Sequence, residues 1–441
     1  MMHGLERRDF LKFMAALPMV GLLPRVSWAQ TPDAKRVILV RAFGGWDVTF
    51  CMDPRLTSCT IHGPDFDASN PASCQGAGDS ESIESYGDLS IMINDARRPA
   101  VTSFFEAHAA KTVVVNGISV GSIVHQECER RILTGSRDDT AADLGTLTAV
   151  SHGIANTLPY LDLTGGARVG AYAAQTGMLG QNNQILALVD RSLPLNGPQG
   201  SGLTHPLYVP SAATNSAIEA YLAKRRARFA EVVGADARSQ KINDDLGIAT
   251  DRKAEILASE ALLKENLSFG AGGSMLEQNA TTVALMSAGI CHSASISTGT
   301  RWDTHDDITD QHPLYENLFE GLNDLVARLT EADLFDDTLI VVLSEMTRTP
   351  KLNKDGGKDH WPVTSAMVIG GSLAGGRTLG GTYLENLDAQ QVQLKTGQVD
   401  TGASSKIEHS NFIAGVLHAA GVDSQQFLPG TEVLHGLIDE G

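Results

Sequence analysis

Acidic and histidine side chains follow several predicted strands of this 441-residue chain. These strands are predicted at 36–41, a β-branched run, at 293–297, and at 338–343, a nearly continuous apolar run, and polar residues follow each of them. The acidic and imidazole residues after them or in the adjoining loops are Asp47, Asp303, His305, Glu345, Asp359 and His360. The carboxyl ends of parallel strands meet at one edge of a sheet, so these side chains are expected to converge. Oxygen and imidazole ligands of this kind suit Zn²⁺, Mn²⁺, Mg²⁺ or Ca²⁺.

The same residues also have a purely structural interpretation. A strand-end aspartate taken alone is more often a helix cap or a turn former than a ligand. Six such residues at one predicted edge favour a metal site. Two metals about 4 Å apart can clamp the attacking and leaving oxygens of a phosphoryl transfer, which is the chemistry such a site would support.

The elements that must position these residues alternate between strand and helix. Helices are predicted near 123–133, 281–288, from Pro313 and from Ser410, and a further strand is predicted at 366–369. This alternation predicts an α/β fold with an open, mostly parallel sheet and helices on both sides. Residues 166–275 begin rich in Gly, Pro, Asn and Ser and continue with helical patterns, so we interpret them as an insertion or cap within a domain spanning 30–441.

The first 29 residues have the order of a twin-arginine signal peptide. Arg7 and Arg8 precede an apolar run from Phe13 to Leu23, and small residues lie before Gln30. The apolar run is too short to span a bilayer, and no later stretch is apolar enough to do so. The sequence therefore predicts a periplasmic or extracellular protein with no integral membrane segment after cleavage.

The net charge of the chain limits the classes of binding partner, and its cysteines indicate where a disulfide can form. The formal charge of −18 becomes −20 when residues 1–29, with four basic and two acidic side chains, are removed, which argues against nucleic acid or an anionic membrane as partner. Cys51, Cys59 and Cys74 share one loop-like segment where export permits a disulfide, whereas Cys128 and Cys291 are expected to be buried thiols.

Three segments resemble a family of exported bacterial proteins, domain of unknown function 1501, which is related to the alkaline phosphatase and sulfatase superfamily. They are GGWD at 44–47, RWDTH at 301–305 and TLIVVLSEMTRTPKLNKDGGKDHWP at 338–362. The resemblance implies an alkaline-phosphatase-like α/β/α sandwich with one or two metals. It matches Asp47 to a first ligand, Asp303 with His305 or His312 to a second group, and leaves Glu345 and the pair Asp359 and His360 competing for the third.

The nucleophile departs from the superfamily pattern. Aligning Leu133, Thr134 and Gly135 with the end of the sulfatase motif puts His125 where a cysteine, serine or threonine would stand. His125 is then a phosphoryl acceptor, a general acid or base, a metal ligand or a structural histidine. Arginines that could bind a phosphate or sulfate, or form ordinary surface salt bridges, are Arg130, Arg131 and Arg348.

Three functions fit these observations. The first is an exported metal-dependent hydrolase of phosphate or sulfate esters, acting on a small molecule or a polymer. The second is a non-catalytic periplasmic or surface binding protein on the same fold, which the histidine at position 125 favours. The third, a role in assembling or secreting surface polymers, is compatible with the acidic composition without being indicated by it.

Overall fold

The computed structural model describes residues 34–67, 69–70, 74–77, 80–176, 195–196, 204–205, 211–233, 236–266 and 273–438. The predicted signal peptide at 1–29 lies outside these residues, and so does part of the predicted insertion. Ala34–Gly441 form one compact unit.

A ten-stranded sheet, in the order β15-β14-β16-β4-β12-β9-β1-β8-β5 with β13 beside β4, forms the centre of the molecule. Three short hairpins, β2–β3, β6–β7 and β10–β11, lie outside it. The strands are β1 Arg36–Arg41, β2 Ser82–Tyr86, β3 Leu89–Ile93, β4 Thr112–Ser119, β5 Tyr160–Asp162, β6 Leu195–Asn196, β7 Thr204–His205, β8 Ser293–Ser297, β9 Thr338–Leu343, β10 Thr347–Arg348, β11 His360–Trp361, β12 Val363–Gly370, β13 Arg377–Gly380, β14 Gln391–Gln393, β15 Gln398–Val399 and β16 Ser405–Glu408.

Most neighbouring strands at the centre of the sheet run parallel, which confirms the predicted fold class. β1 is parallel to β8 and β9, β5 is parallel to β8, and β4 is parallel to β13 and β16. The exception at the centre is β12, which is antiparallel to both β4 and β9. Residues 344–362 join β9 to β12 without a helix, whereas a parallel connection usually contains an α-helix.

Helices cover both faces of this sheet. Alternate residues of β1 enter opposite cores: Ile38 and Val40 pack with α1, α8 and α9, whereas Val37 and Leu39 pack with α2, α3 and α10. The protein is therefore an α/β/α sandwich, as predicted. The helices are α1 Pro99–His108, α2 His125–Thr134, α3 Leu144–His152, α4 Ala173–Thr176, α5 Ala212–Val233, α6 Ala237–Ala258, α7 Glu260–Asn266, α8 Met275–Ser287, α9 Gln311–Glu331 and α10 His409–Ala419.

One disulfide and three buried thiols account for the five cysteines. Cys59 and Cys74 form a disulfide, and Cys51, Cys128 and Cys291 are buried thiols. The two thiols expected to be buried are confirmed as such. Among the helices in the described ranges, none combines the length and apolar character needed to cross a bilayer.

Candidate metal centre

Loops at the carboxyl ends of β1, β8 and β9 build the candidate site, with the start of α2 and the strand β11. Asp303 and His305 follow β8, and Glu345 follows β9. His125 is the first residue of α2, and His360 opens β11. The strand ends therefore bring together five residues that the sequence predicts for the site.

Three imidazole nitrogens point at one carboxylate oxygen. The Nε2 atoms of His305, His360 and His125 lie 2.9, 3.4 and 3.6 Å from Oδ1 of Asp303. The Nε2 atoms of His305 and His360 are 3.1 Å apart. His125, Asp303 and His360 each offer a ligand atom within 4.8 Å of the others.

The other ring nitrogen of each histidine faces an acceptor. Nδ1 of His125 donates to Oε1 of Glu345 at 2.6 Å, and Nδ1 of His360 donates to the carbonyl oxygen of Ile123 at 2.9 Å. Nδ1 of His305 lies 3.3 Å from Oδ1 of Asp359. Hydrogen bonds of this kind fix the tautomer and orientation of metal-binding imidazoles.

These tautomers leave the three Nε2 lone pairs facing the Asp303 carboxylate. The Arg348 guanidinium contacts both Oδ1 of Asp303 and Nε2 of His305. The Nε2 atoms of His125 and His360 face the same carboxylate, and a proton or a metal ion between them would offset the repulsion between these acceptors. Nε2 of His125 is buried and has no hydrogen-bond partner. The donor set, mainly imidazole with one carboxylate, fits Zn²⁺ or Mn²⁺ better than Mg²⁺ or Ca²⁺, which prefer all-oxygen sites.

Glu345 supports this centre from the interior. Its side chain is fully buried, and its two oxygens accept hydrogen bonds from the backbone N–H of Gly44 at 2.9 and 3.1 Å. Oε2 also accepts from the Ser344 hydroxyl. Because these bonds occupy Glu345 and only its Oε1 reaches His125, the residue orients that imidazole and does not join the ligand cluster.

Arg348 ties three loops of the site together. Its guanidinium donates to the backbone carbonyls of Gly44, Gly45, Trp302 and Lys358, and to Oδ1 of Asp303 at 2.9 Å. Nη1 also lies 3.3 Å from Nε2 of His305. The Arg348 side chain is 1% exposed, so its N–H groups donate to acceptors inside the protein. Its bond to Asp303 holds that carboxylate in position.

Electrostatics favour the ionised form of Asp303. Burial alone would raise its pKa, but hydrogen bonding and charge from Arg348 hold the pKa well below its usual range. The hydrogen bond to Glu345 raises the pKa of His125 against the opposing effect of burial. A metal would therefore compete with a proton for His125 Nε2, while Asp303 is already anionic.

Asp47 is held away from this cluster by a buried lysine. Its Oδ2 accepts a 2.6 Å bond from Nζ of Lys358, and both side chains are 1% exposed. Its Oδ1 accepts from the N–H and hydroxyl of Thr49. Both oxygens are thus occupied, and Asp47 also caps the short helix Val48–Phe50.

His312 and Arg130 also lie in other surroundings. His312 packs on Phe50 and contacts Arg98 at 2.6 Å; burial, together with Arg98 and Arg97, lowers its pKa to about 3. Arg130 pairs with Glu127, which lies on the same helix α2, and with Asp139 in the loop that follows. The structure does not bring these two residues to the histidine cluster.

Three contributors to the site were not predicted as such. Lys358 gave no sign of burial in the sequence GGKDHWP, and Asn353 donates to Asp359 from a loop position with no motif. Arg301 is 83% exposed and lies 3.2 Å from Oδ2 of Asp303. Its place two residues before Asp303 was the signal that could have identified it.

Comparison with solved structures finds distant matches. A protein in the alkaline phosphatase superfamily from Vibrio parahaemolyticus is 9% identical with a TM-score of 0.35, covering 95% of this chain and 76% of that one. The putative sulfatase from Bacteroides fragilis is 11% identical with a TM-score of 0.33, covering 92% and 81%. The phosphonate monoester hydrolase of Agrobacterium radiobacter is 11% identical with a TM-score of 0.34, covering 91% and 77%.

No residue role or activity transfers from those proteins to this chain at such similarity. Among curated proteins, none matches the sequence. The family described as protein of unknown function (DUF1501) matches residues 34–435, which confirms the resemblance found in the sequence. The chain belongs to the DUF1501 family.

Proposed function

We propose that this protein is an exported hydrolase of phosphate or sulfate esters that depends on one divalent metal. The observation that carries the proposal is the convergence of three imidazole lone pairs on the Asp303 carboxylate. His125, Asp303 and His360 would hold the metal, and His305 is a fourth candidate ligand. The imidazole-rich donor set favours zinc or manganese.

When bound, the metal would supply Lewis acidity toward an ester oxygen and lower the pKa of a water molecule. The chain's own residues hold the geometry. Glu345 and the Ile123 carbonyl fix the rings of His125 and His360, and Arg348 fixes Asp303. Side chains locked in this way lose little entropy when a ligand binds.

Direct attack by water fits the residues at the start of α2. Nδ1 of His125 bonds to Glu345 and its Nε2 faces the Asp303 carboxylate. The Cys128 thiol is buried, and burial raises its pKa to about 11. The water oxygen would bond to phosphorus or sulfur while the bond to the ester oxygen breaks. The water proton would leave to solvent, and the departing oxygen would take a proton to give the alcohol.

The proposed export rests on the sequence of residues 1–29 and is supported by the Cys59–Cys74 disulfide, because disulfides persist in oxidising compartments. Replacing both Arg7 and Arg8 with lysine should leave the full-length precursor in the cytoplasm. Fractionation that finds the processed variant in the periplasm would remove this part of the proposal.

A non-catalytic binding protein is the second candidate. The observation that favours it is the histidine at position 125, where a hydroxyl or thiol nucleophile would otherwise start the helix. Such a protein would bind metal and ligand and release no product.

Metal analysis of the purified protein tests whether the proposed site binds a metal. Protein purified without chelator should contain about one zinc or manganese per chain, and Asp303→Ala should lose it, whereas the neighbouring exposed Asp306→Ala should keep it. A folded wild type that takes up no added divalent metal would refute the proposed site. With metal bound, turnover on a panel of phosphate and sulfate esters supports the hydrolase, and binding without turnover supports the second candidate.

A further inference from the structure

The charged groups around the metal centre can be enumerated from their contacts. Inside the protein, the Asp303 and Glu345 carboxylates face the histidine cluster together with one guanidinium, Arg348. The buried ammonium of Lys358 is neutralised by Asp47. The protein alone therefore places one net negative charge at the site, since the metal-binding imidazoles are neutral.

The exposed charges at the rim cancel. Arg301 and Asp359 are 83% and 62% exposed, and each contacts a member of the cluster, Asp303 and His305 respectively. Glu129, one helical turn after His125, adds negative potential when ionised, although burial and the nearby Glu345 raise its pKa. No further positive charge reaches the cluster among the ion pairs of the described residues.

A divalent metal changes this balance by two charges. The loaded site then carries one net positive charge when Glu129 is protonated and no net charge when Glu129 is ionised. In both states a dianionic ligand leaves one more negative charge uncompensated than a monoanionic ligand does. A second negative charge would be partly desolvated without compensation, and this is costly at a half-buried site. The formal charge of −18 on the chain adds long-range repulsion that grows with ligand charge.

An apolar edge adjoins the same site. Ile123 and Val124 are each 54% exposed, directly before His125, and the Ile123 carbonyl bonds to His360. Their side chains can contact an organic substituent next to the charged group and gain from covering apolar surface.

From this balance we propose that the site accepts a tetrahedral ester group with a single negative charge, a sulfate monoester or a phosphodiester, in preference to a dianionic phosphate monoester. The inference rests on the proposed metal site and names the substrate class for it. Arg301 contacts the ligand from the rim, because it is the exposed guanidinium next to Asp303.

Calorimetric titration of the metal-loaded protein near pH 8 tests the preference without requiring turnover. The probes are methyl sulfate and dimethyl phosphate, which are monoanions, and methyl phosphate, which is a dianion at this pH because its second pKa is about 6. We expect at least one monoanion to bind about tenfold or more tightly than methyl phosphate, a difference of about 1.4 kcal/mol. Whichever of methyl sulfate and dimethyl phosphate binds more tightly identifies the ligand class as a sulfate monoester or a phosphodiester.

Arg301→Gln should weaken the better monoanion several-fold while leaving the metal content unchanged. Arg328→Gln is the matched control, because the Arg328 side chain is 40% exposed and pairs with an aspartate, Asp324, on α9. Equal or tighter binding of methyl phosphate, or no binding of any probe to the loaded protein, overturns the charge inference alone. A protein that takes up no metal instead refutes the proposed function on which the inference rests.

Discussion

Glu345 orients one imidazole of the proposed metal site from the interior of the protein. Its carboxylate accepts a hydrogen bond from Nδ1 of His125, and the N–H of Gly44 holds the carboxylate in place. Glu345→Gln removes the charge that keeps the imidazole basic, so the metal dissociation constant should rise about 10- to 100-fold.

A competition titration against a chelator measures this change. Glu316→Gln is the control, because Glu316 also accepts a backbone N–H but lies against α1, away from the histidine cluster. Unchanged affinity in Glu345→Gln would show that its hydrogen bond does not tune the ligand.

His292 should make stability depend on pH. Burial, with Arg36 and His152, lowers its pKa to about 4. An unfolded histidine has a pKa of about 6.5, so the unfolded chain binds the extra proton first as pH falls, and the stabilising difference is lost between about 6.5 and 4. The loss from this residue between pH 7 and pH 5 should be about 2 kcal/mol.

Urea unfolding of wild type and His292→Gln at both pH values tests this effect. Glutamine can keep the bond to the Lys35 carbonyl that Nε2 of His292 makes, but it does not titrate. The variant should lose about 2 kcal/mol less than wild type on acidification. Equal losses in the two proteins would assign the acid sensitivity to other groups.

Among the structural elements, the loop after β1 packs closely against the loop after β8, and a glycine at the contact allows this close approach. Gly44 has φ of +127°, and a Cβ there would lie 2.5 Å from the Asp303 nitrogen. Gly44→Ala should therefore displace Asp303 and lower both thermal stability and metal affinity. Gly289→Ala also introduces a side chain at positive φ, +70°, but into open space, so it should cost about 1 kcal/mol and keep metal binding.

Melting temperature and metal titration together separate the two variants. If Gly44→Ala binds metal as wild type does, the close contact between these loops does not position Asp303.

Elements with strong local patterns were predictable from sequence. The strands 36–41, 293–297 and 338–343 have the predicted bounds, and every residue in them except Arg36 and Ser297 is buried. The β2–β3 hairpin was not predicted, since β2 is largely exposed and carries no apolar alternation. The reversed direction of β12 depends on a loop that local periodicity does not describe.

The site was predictable to the level of the strand edge and no further. Asp303, His305 and His360 converge because strand ends converge. Asp47 follows β1 as expected but faces Lys358, and His312 turns toward Arg98. Which neighbour a side chain meets is set by tertiary packing, and sequence spacing gave no access to it.

The whole molecule carries one covalent cross-link that stabilises a loop-rich segment. Cys59 and Cys74 are 15 residues apart, so loop-closure entropy predicts a contribution of about 3 kcal/mol. Replacing both with serine should lower the free energy of unfolding by about that amount.

Thiol counting checks the pairing. The denatured protein should expose three thiols before reduction and five after it, since Cys51, Cys128 and Cys291 are free. Five reactive thiols without reductant would contradict the disulfide.

The ion pair between Lys358 and Asp47 gives the protein a counter-ion that cannot diffuse away. A metal ion exchanges with its surroundings and depends on their supply, whereas this ammonium is part of the chain. The end of β1 is therefore neutralised before any metal arrives, and the sandwich can complete its folding where free metal is scarce. A metal ion would then bind to a domain that has already folded, in contrast to small domains that need the ion in order to fold.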